Sequence, residues 1–421
     1  MKTQTQPRAE AVVEKLVAGG EGLVRLDGEV VLVPRVAPGE RVAIEIDRKK
    51  RPARGRLLKV LEPSRARIEP ACPKFDRCGG CDLMHLAPDA QRDARVVILR
   101  EALRDTLGEA PITWHPATPA HGRTRARMHA KAVGGGVLLG YHALGSNTVV
   151  DLDACPALDV RLGRVLEDVR AILAGAPGHG DVSIAVGDAG KPVLSIEWRG
   201  DLPPAAFGEA ERRVNSGRLA GVEIVLPNVT KPARIGDARP VAIANDGLPL
   251  RAPPRGFAQA SEAGDRVLVD LVLARAEPEG KKVVELFAGS GNFTVALAPK
   301  AQHVTAVELD AAASATAREN LAARDQLRNV KLVVADADAW PLPREVDVVV
   351  LDPPRTGARG AAQAIAAKKP RRVVYVSCDP NTLARDLAAL RTAYSIVSVD
   401  AVDLFPDTSH VETVVTLERM R

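Results

Sequence analysis

The chain has 421 residues, 46% of them hydrophobic, and carries 58 Lys and Arg against 53 Asp and Glu, a net charge of +5. That length suits two or three domains, and the composition is ordinary for a soluble globular protein. No apolar run approaches the roughly 20 residues of a membrane span, the first residues (MKTQTQPRAEAVV) lack the apolar core of a signal peptide, and a pI near 9.0 does not by itself require a nucleic-acid partner. The expectation is a cytoplasmic protein without a membrane partner, acting as a monomer. In that compartment five cysteines are better suited to metal binding or catalysis than to structural disulfides.

Residues 8–68 read as a small all-β module. Five short apolar or alternating segments (AVVEKLV, EGLVRL, VVLVPRV, RVAIEID, RGRLLKVL) are parted by Gly- and Pro-bearing turns. Such spacing predicts a barrel of oligonucleotide-binding type. The basic run Arg48-Lys49-Lys50-Arg51, with Arg54 and Arg56, falls between the last two strands, where such barrels meet RNA. Residues 69–252 form a second, β-rich region. It opens on CPKFDRCGGC, continues into a helix rich in Arg and Asp, and includes a helix near 158–174. In GRTRARMHAK, residues Arg123, Arg125, Arg127 and Lys131 are spaced in multiples of two. A strand would put them on one face, a candidate track for a phosphate backbone. Aromatic residues are only 3%, which speaks against a broad base-stacking platform.

From 253 to 421 the pattern changes. After the punctuated link RAPPRGFAQA, helices alternate with Val/Ile/Leu-rich strands: KVVELFAG, HVTAVELD, VKLVVAD, VDVVVLDPP and RVVYVSCDP. This predicts a parallel sheet covered on both faces. ELFAGSGNFT joins the first strand to a helix, and its Gly289 and Gly291 allow a tight turn and close approach to a ligand. Thr294 stands where a dinucleotide fingerprint has its third glycine. With Glu308 ending the next strand, ready to accept hydrogen bonds from a ribose diol, the pattern fits S-adenosylmethionine better than NAD. Asp336 follows the third strand and could reach the adenine side. Asp352 of LDPPR ends the fourth, where open α/β sheets place ligands, although a helix cap would explain it as well.

Cys72, Cys78 and Cys81, with Cys155 of DLDACPAL, form a four-thiolate set. That complement suits an iron–sulfur cluster, or structural zinc with a tighter first pair. Cys378 is left over. It ends a strand, and Asp379 and Pro380 after it can cap and start a helix, so the thiol lies near a positive helix end that favours thiolate.

The N-terminal barrel with PGE, the cysteine loop, GRTRARMH, FAQ, ELFAGSGNFT, LDPPRTG, VSCDPNTLARD and DLFPDTSHVET together resemble the uracil-C5 RNA methyltransferases that form 5-methyluridine. The likeness is to the branch that carries a TRAM domain and a [4Fe-4S] cluster and modifies 23S ribosomal RNA. It covers nearly the whole chain. It implies an α/β protein with an N-terminal OB-like β-barrel (TRAM) over 8–68, a central β-rich domain with the iron–sulfur loop over 69–252, and a C-terminal Rossmann-like class I methyltransferase domain over 253–421. It further implies Cys378 as nucleophile and Glu412 of HVET as the proton-abstracting base. Gln259, Phe287, Gly289, Asn292, Glu308, Asp336 and Asp352 become the S-adenosylmethionine site, and Cys72, Cys78, Cys81 and Cys155 the cluster ligands. The partner is RNA, presented as a flipped or single-stranded uridine. Ser261 stands where many members have asparagine, Asp336 where some have asparagine, and LFAG replaces LFCG. Three other functions are compatible with parts of the pattern: methylation of a tRNA T-loop uridine, an amine methyltransferase built on Asp352-Pro353-Pro354, and an RNA-binding factor without activity.

Overall fold

The computed structural model describes residues 8–108, 110–116, 122–324 and 327–420. They divide into two compact units. One comprises Met1–Glu101, His142–Thr148 and Phe405–His410; the other comprises Ala102–Tyr141, Val149–Leu404 and Val411–Arg421.

The first unit opens with a curled sheet of six strands: β1 (Arg8–Val12), β2 (Lys15–Leu16), β3 (Glu21–Leu26), β4 (Glu29–Pro34), β5 (Arg41–Asp47) and β6 (Ala53–Glu62), in the order β1-β5-β6-β4-β3-β2. The segment read as one initial strand is split at Val13-Glu14. Its first half pairs with β5 and its second with β3, so one stretch of chain holds both sheet edges. Val24, Val31, Val33, Val42, Ile44 and Ile46 fill the interior. The basic run lies in the β5–β6 turn and the start of β6, but acids meet most of it. Arg48 and Arg51 face Glu29, Arg54 pairs with Glu21, and Arg56 with Glu45. The cysteine loop and the start of helix α1 (Pro88–Leu107) follow. The Phe405–His410 segment is bound here: Asp82 and Leu83 donate backbone bonds to the Asp407 carbonyl, Arg95 donates to the Thr408 carbonyl at 2.8 Å, and Ser409 donates twice to the Asp82 carboxyl at 2.7 Å.

The second unit holds two large sheets. A short strand, β7 (Ile112–His115), belongs to the later one. The central sheet comprises β8 (Arg125–Val133), β9 (Gly136–Gly140), β10 (His179–Val186), β11 (Pro192–Arg199), β12 (Gly221–Val225) and β13 (Ala233–Gly236), in the order β13-β12-β11-β10-β8-β9. One face carries Met128, Ala130, Val182, Ile184, Leu194, Ile196, Trp198, Val222 and Ile224, all buried. Helices α2 (Val165–Ile172) and α3 (Pro204–Asn215) contact the sheet at β9, β12 and β13. The helix expected over 158–174 is shorter because a 3-10 turn, capped by Asp159, occupies Val160–Leu162. The other face does present Arg125, Arg127 and Lys131 along β8, as the spacing requires. It is not a purely cationic track, because neighbouring strands interleave acid. Arg127 bonds Asp181 at 2.8 Å and approaches Glu197 at 3.9 Å, and His129 lies 2.7 Å from Asp181.

A hairpin of β14 (Val241–Ile243) and β15 (Pro249–Arg251) leads to α4 (Glu262–Ala276). Then come β16 (Lys282–Leu286), α5 (Asn292–Leu297), β17 (His303–Glu308), α6 (Ala311–Ala322), β18 (Val330–Val334), β19 (Val348–Leu351), α7 (Arg359–Lys368), β20 (Arg372–Ser377), α8 (Pro380–Leu390), β21 (Tyr394–Val402) and β22 (Glu412–Arg419). The sheet order is β18-β17-β16-β19-β20-β22-β21-β7. Its first five strands are parallel, as their continuous apolar character predicts. The sheet as a whole is mixed: β22 inserts antiparallel between β20 and β21, a pairing the sequence pattern did not reveal. No helix among the described residues is long and apolar enough to cross a membrane.

Asp400 on β21 fastens the far edge. Its buried carboxyl accepts from Arg275 at 2.8 and 2.9 Å, from Ser398 at 3.1 Å, and lies 2.9 Å from the His115 ring. Burial alone would raise its pKa, but the bonds from Arg275 and His115 prevail and hold it below the usual value. A depressed folded-state pKa stabilises above the unfolded carboxyl's value, about 4, and that contribution fades as pH falls through the folded value. Asp400→Asn should therefore lower stability by about 3 kcal/mol at pH 7, the low end for breaking a buried pair. Urea unfolding at pH 7 and pH 3 checks this, and the difference from wild type should shrink at the lower pH.

Candidate active site

Strands β16 and β19 are neighbours but not consecutive, so chain order reverses between them. The crevice beyond their carboxyl ends is where open α/β sheets take ligands. The loop after β16 turns through left-handed geometry at Phe287 (φ 62°), Gly289 (φ 55°) and Gly291 (φ 88°). For Phe287 this costs about 1–3 kcal/mol, the kind of strain that collects at ligand sites. Glu308 braces the loop, its carboxyl accepting from the Gly289 amide at 2.8 Å.

A cleft lies against this loop. Gln259, Phe287, Gly289, Asn292 and Asp352, five of the seven expected cofactor residues, line it. Glu308 stands one hydrogen bond behind the wall. Asp336 lies outside the lining, exposed in the turn after β18, where its carboxyl accepts from the Asp338 amide at 3.0 Å. The Ser290 hydroxyl, also in the lining, is buried with no hydrogen-bond partner among the described residues. An unsatisfied donor at that depth suits a polar ligand, and the cleft fits S-adenosylmethionine. Ser261 caps α4 by accepting from the Gly264 amide at 3.2 Å, so the replaced asparagine leaves a competent cap.

Several contributors escaped the sequence reading. Arg125, assigned to a phosphate track, instead donates to the carbonyls of Ala258 (2.7 Å) and Gly256 (2.9 Å), clamping the loop that carries Gln259. Asp265, in the first turn of α4, lines the cleft and accepts from Asn292 at 2.7 Å. Only Ser261 hinted at it, by fixing the start of α4 four residues earlier. Glu285, buried beneath the loop, accepts from Thr294 at 2.6 Å, and burial pushes its pKa up to about 8.

Cys378 follows the last residue of β20, and Glu412 is the first residue of the neighbouring β22. Ser377 pairs with Thr413, so antiparallel register sets Cys378 beside Glu412 at the edge where Asp352 emerges from β19. Asp379 caps α8, accepting from the amides of Asn381 (2.9 Å) and Thr382 (3.0 Å), and Pro380 begins that helix. Thiolate character does not follow from this helix end. Burial, the Glu412 carboxyl and Asp352 together push the thiol up to about 11, while Arg355 acts the other way by its charge and by a hydrogen bond to the thiol. Glu412 is only 3% exposed, and burial and Asp352 raise its pKa, again opposed by Arg355. Asp352 is raised to about 7 by burial and Asp265. Buried Asp386 of α8 ties the parts together: it accepts from the Ala358 amide at 2.7 Å and the Tyr375 hydroxyl at 2.8 Å, joining the Asp352–Arg355 loop to the strand and helix flanking Cys378.

In the first unit Cys78 is buried, with Cys72 and Cys81 half-buried. Cys155 is half-buried in the second unit, and none of the cysteines is in a disulfide. The Gly80 amide donates to the Cys78 sulfur at 3.4 Å. Among the described residues, no three His, Cys, Asp or Glu side chains are gathered so as to hold a metal ion.

A strand-order reversal, a strained glycine loop and an acid after the fourth strand define an S-adenosylmethionine-dependent methyltransferase of class I fold. Residues 283–368 match the family described as methyltransferase domain, and residues 343–420 the family described as tRNA (Uracil-5-)-methyltransferase. The chain is 34% identical over 439 residues to the 23S rRNA (uracil(1939)-C(5))-methyltransferase RlmD of Alkalilimnicola ehrlichii, covering 97% of this chain and 96% of that protein. Its identity to the protein of the same name from Vibrio parahaemolyticus is 30%, with 99% and 98% covered. In fold it matches the crystal structure of Pyrococcus abyssi tRNA (uracil-54, C5)-methyltransferase in complex with S-adenosyl-L-homocysteine, with a TM-score of 0.75, 24% identity and coverage of 97% and 100%. The chain belongs to the uracil-C5 RNA methyltransferase family.

If burial and Glu412 set the Cys378 titration, iodoacetamide should alkylate Cys378 slowly at pH 7 in the free enzyme. The rate should climb about tenfold per pH unit toward the thiol's pKa. Glu412→Gln removes one raising charge, so its rate at pH 8 should exceed that of wild type. Fast alkylation, flat between pH 6 and 9, would contradict this.

Proposed function

We propose that this enzyme methylates C5 of a uridine in 23S ribosomal RNA, the relatives' names pointing to uracil 1939, through a covalent adduct between Cys378 and uracil C6. The observation that carries this reading is the β20–β22 register, which sets a thiol and a buried carboxyl side by side at the cofactor end of the sheet.

Uracil C5 is a weak nucleophile toward a methyl sulfonium, and covalent catalysis removes that obstacle. The Cys378 thiol first loses its proton to solvent water, and Arg355, already bonded to it, stabilises the thiolate. Sulfur adds to C6, and the C5=C6 pair becomes an enolate. C5 then attacks the methyl carbon, the S–CH₃ bond breaks, and S-adenosylhomocysteine leaves with that electron pair. Glu412, ionised, takes the C5 proton, C5=C6 re-forms and the Cys378–C6 bond breaks. Its raised pKa makes it a strong enough base for that step. Asp352 is suited to hydrogen-bonding the uracil edge. A target inside a helix must leave its stack to reach the thiol.

The curled N-terminal sheet is read as a TRAM-type RNA-binding module. Cys72, Cys78, Cys81 and Cys155 are read as [4Fe-4S] ligands on donor chemistry: soft thiolates, with a backbone N–H already directed at the Cys78 sulfur. No catalytic step passes through that cluster. Anaerobically purified protein should be brown, with about four iron and four sulfide per chain; colourless protein with one zinc would overturn this assignment.

RNA containing 5-fluorouridine should trap the enzyme as a denaturation-resistant adduct with S-adenosylmethionine present, since fluorine cannot leave as a proton does. Cys378→Ala should form none and should lose methylation by at least about 10³-fold. Glu412→Gln should still form an adduct, now also with ordinary uridine. Full methylation by Cys378→Ala would refute the mechanism, and methyl found on an exocyclic nitrogen would favour an amine methyltransferase.

A further inference from the structure

The cofactor cleft has a charge imbalance that its shape alone does not require. Asp265, about nine-tenths buried, and Asp352 both line it, and among the described residues neither forms an ion pair. Asp265 has the Asn292 amide at 2.7 Å, and Asp352 has only the Gln259 amide at 3.5 Å. Glu262, also in the lining, and Glu285 beneath the loop add acid; Glu262 is bonded by Arg161 at 3.1 Å. The cations are committed elsewhere or weakly placed. Arg125 is held by two backbone carbonyls, Arg251 lies 3.9 Å from Asp188, and Arg266 is the smallest influence on Asp265. Burial lifts Asp265 to about 6, with Glu262 adding to the rise and Asn292 opposing it.

We propose that Asp265, acting with Asp352, is a charge-discriminating residue of this cleft, favouring the cationic sulfonium of the methyl donor over the neutral sulfur of the product. The proposal rests on the S-adenosylmethionine reading of the cleft. Donor and product share the adenosine, the α-ammonium and the α-carboxylate, and differ by one methyl and one positive charge at sulfur. A carboxylate facing that sulfur loses its counter-charge when the methyl leaves, so the same contact that draws in the donor relaxes its hold on the product. Two acids side by side repel when both are ionised, and a cation between them relieves that repulsion.

Calorimetric titration of the full chain with S-adenosylmethionine and with S-adenosylhomocysteine tests this. The donor-to-product affinity ratio should fall about tenfold in Asp265→Asn, which keeps the side chain's size, with product affinity nearly unchanged. An unchanged ratio would overturn the proposal. So would equal weakening of both ligands, which would assign Asp265 to the shared ammonium group. Should that variant fail to fold, wild-type titrations near pH 6 in buffers of different ionisation enthalpy decide the matter: the donor should release more protons than the product, and equal release overturns the proposal. Wild-type protein that binds neither ligand would instead remove the underlying cofactor reading.

Discussion

The arrangement depends on the direction of one strand. Five parallel strands deliver their carboxyl ends, and therefore Asp352 and Cys378, to one edge of the sheet. A sixth parallel strand would bring its first residue to the opposite edge, several residues' rise away. Because β22 runs antiparallel, its first residue, Glu412, arrives at the same edge as the last residues of its neighbours. Thiol and carboxyl are then adjacent through backbone hydrogen bonding rather than through long side chains. A one-residue slip would send Glu412 to the other face.

That adjacency makes the local electrostatics dense. Cys378, Glu412 and Asp352 all sit in protein and all shift toward their neutral forms, and Arg355 is the cation that opposes the shift on Cys378 and Glu412. The ligand-free site thus disfavours charge on all three groups. The proposed chemistry needs a thiolate and then a carboxylate, so substrate and cofactor must supply the interactions that favour ionisation. In the proposed reading the cationic donor is one such source, taken up in the cleft that Asp352 and Asp265 both line.

Much of this was legible in the sequence, for physical reasons. Strands buried on both faces need continuous Val, Ile and Leu, so the five parallel strands announced themselves. Gly289 and Gly291 signalled a tight turn, and Asp379-Pro380 signalled a helix start. The strands of the curled N-terminal sheet were visible through their turns, except that the first segment splits into two. Partnerships between distant strands were not visible. The resemblance alone singled out Glu412, because its neighbours in sequence do not reveal that β20 and β21 flank it. Arg125 and Arg127 looked like free cations because Asp181, Glu197 and the Gly256 and Ala258 carbonyls reach them only after folding. The helix end at Cys378 was read correctly, but its effect on the thiol is outweighed by burial and nearby acid.

The central claim is that this chain places a methyl on C5 of a 23S ribosomal RNA uridine through Cys378. The most direct measurement maps 5-methyluridine, by mass spectrometry of ribosomal and transfer RNA, in a strain lacking the gene and in the same strain carrying wild-type or Cys378→Ala protein. The account predicts one 23S position that loses its C5 methyl on deletion, regains it with wild type and stays unmethylated with Cys378→Ala. Restoration by Cys378→Ala, or loss confined to a tRNA T-loop uridine or to an exocyclic nitrogen, would contradict it.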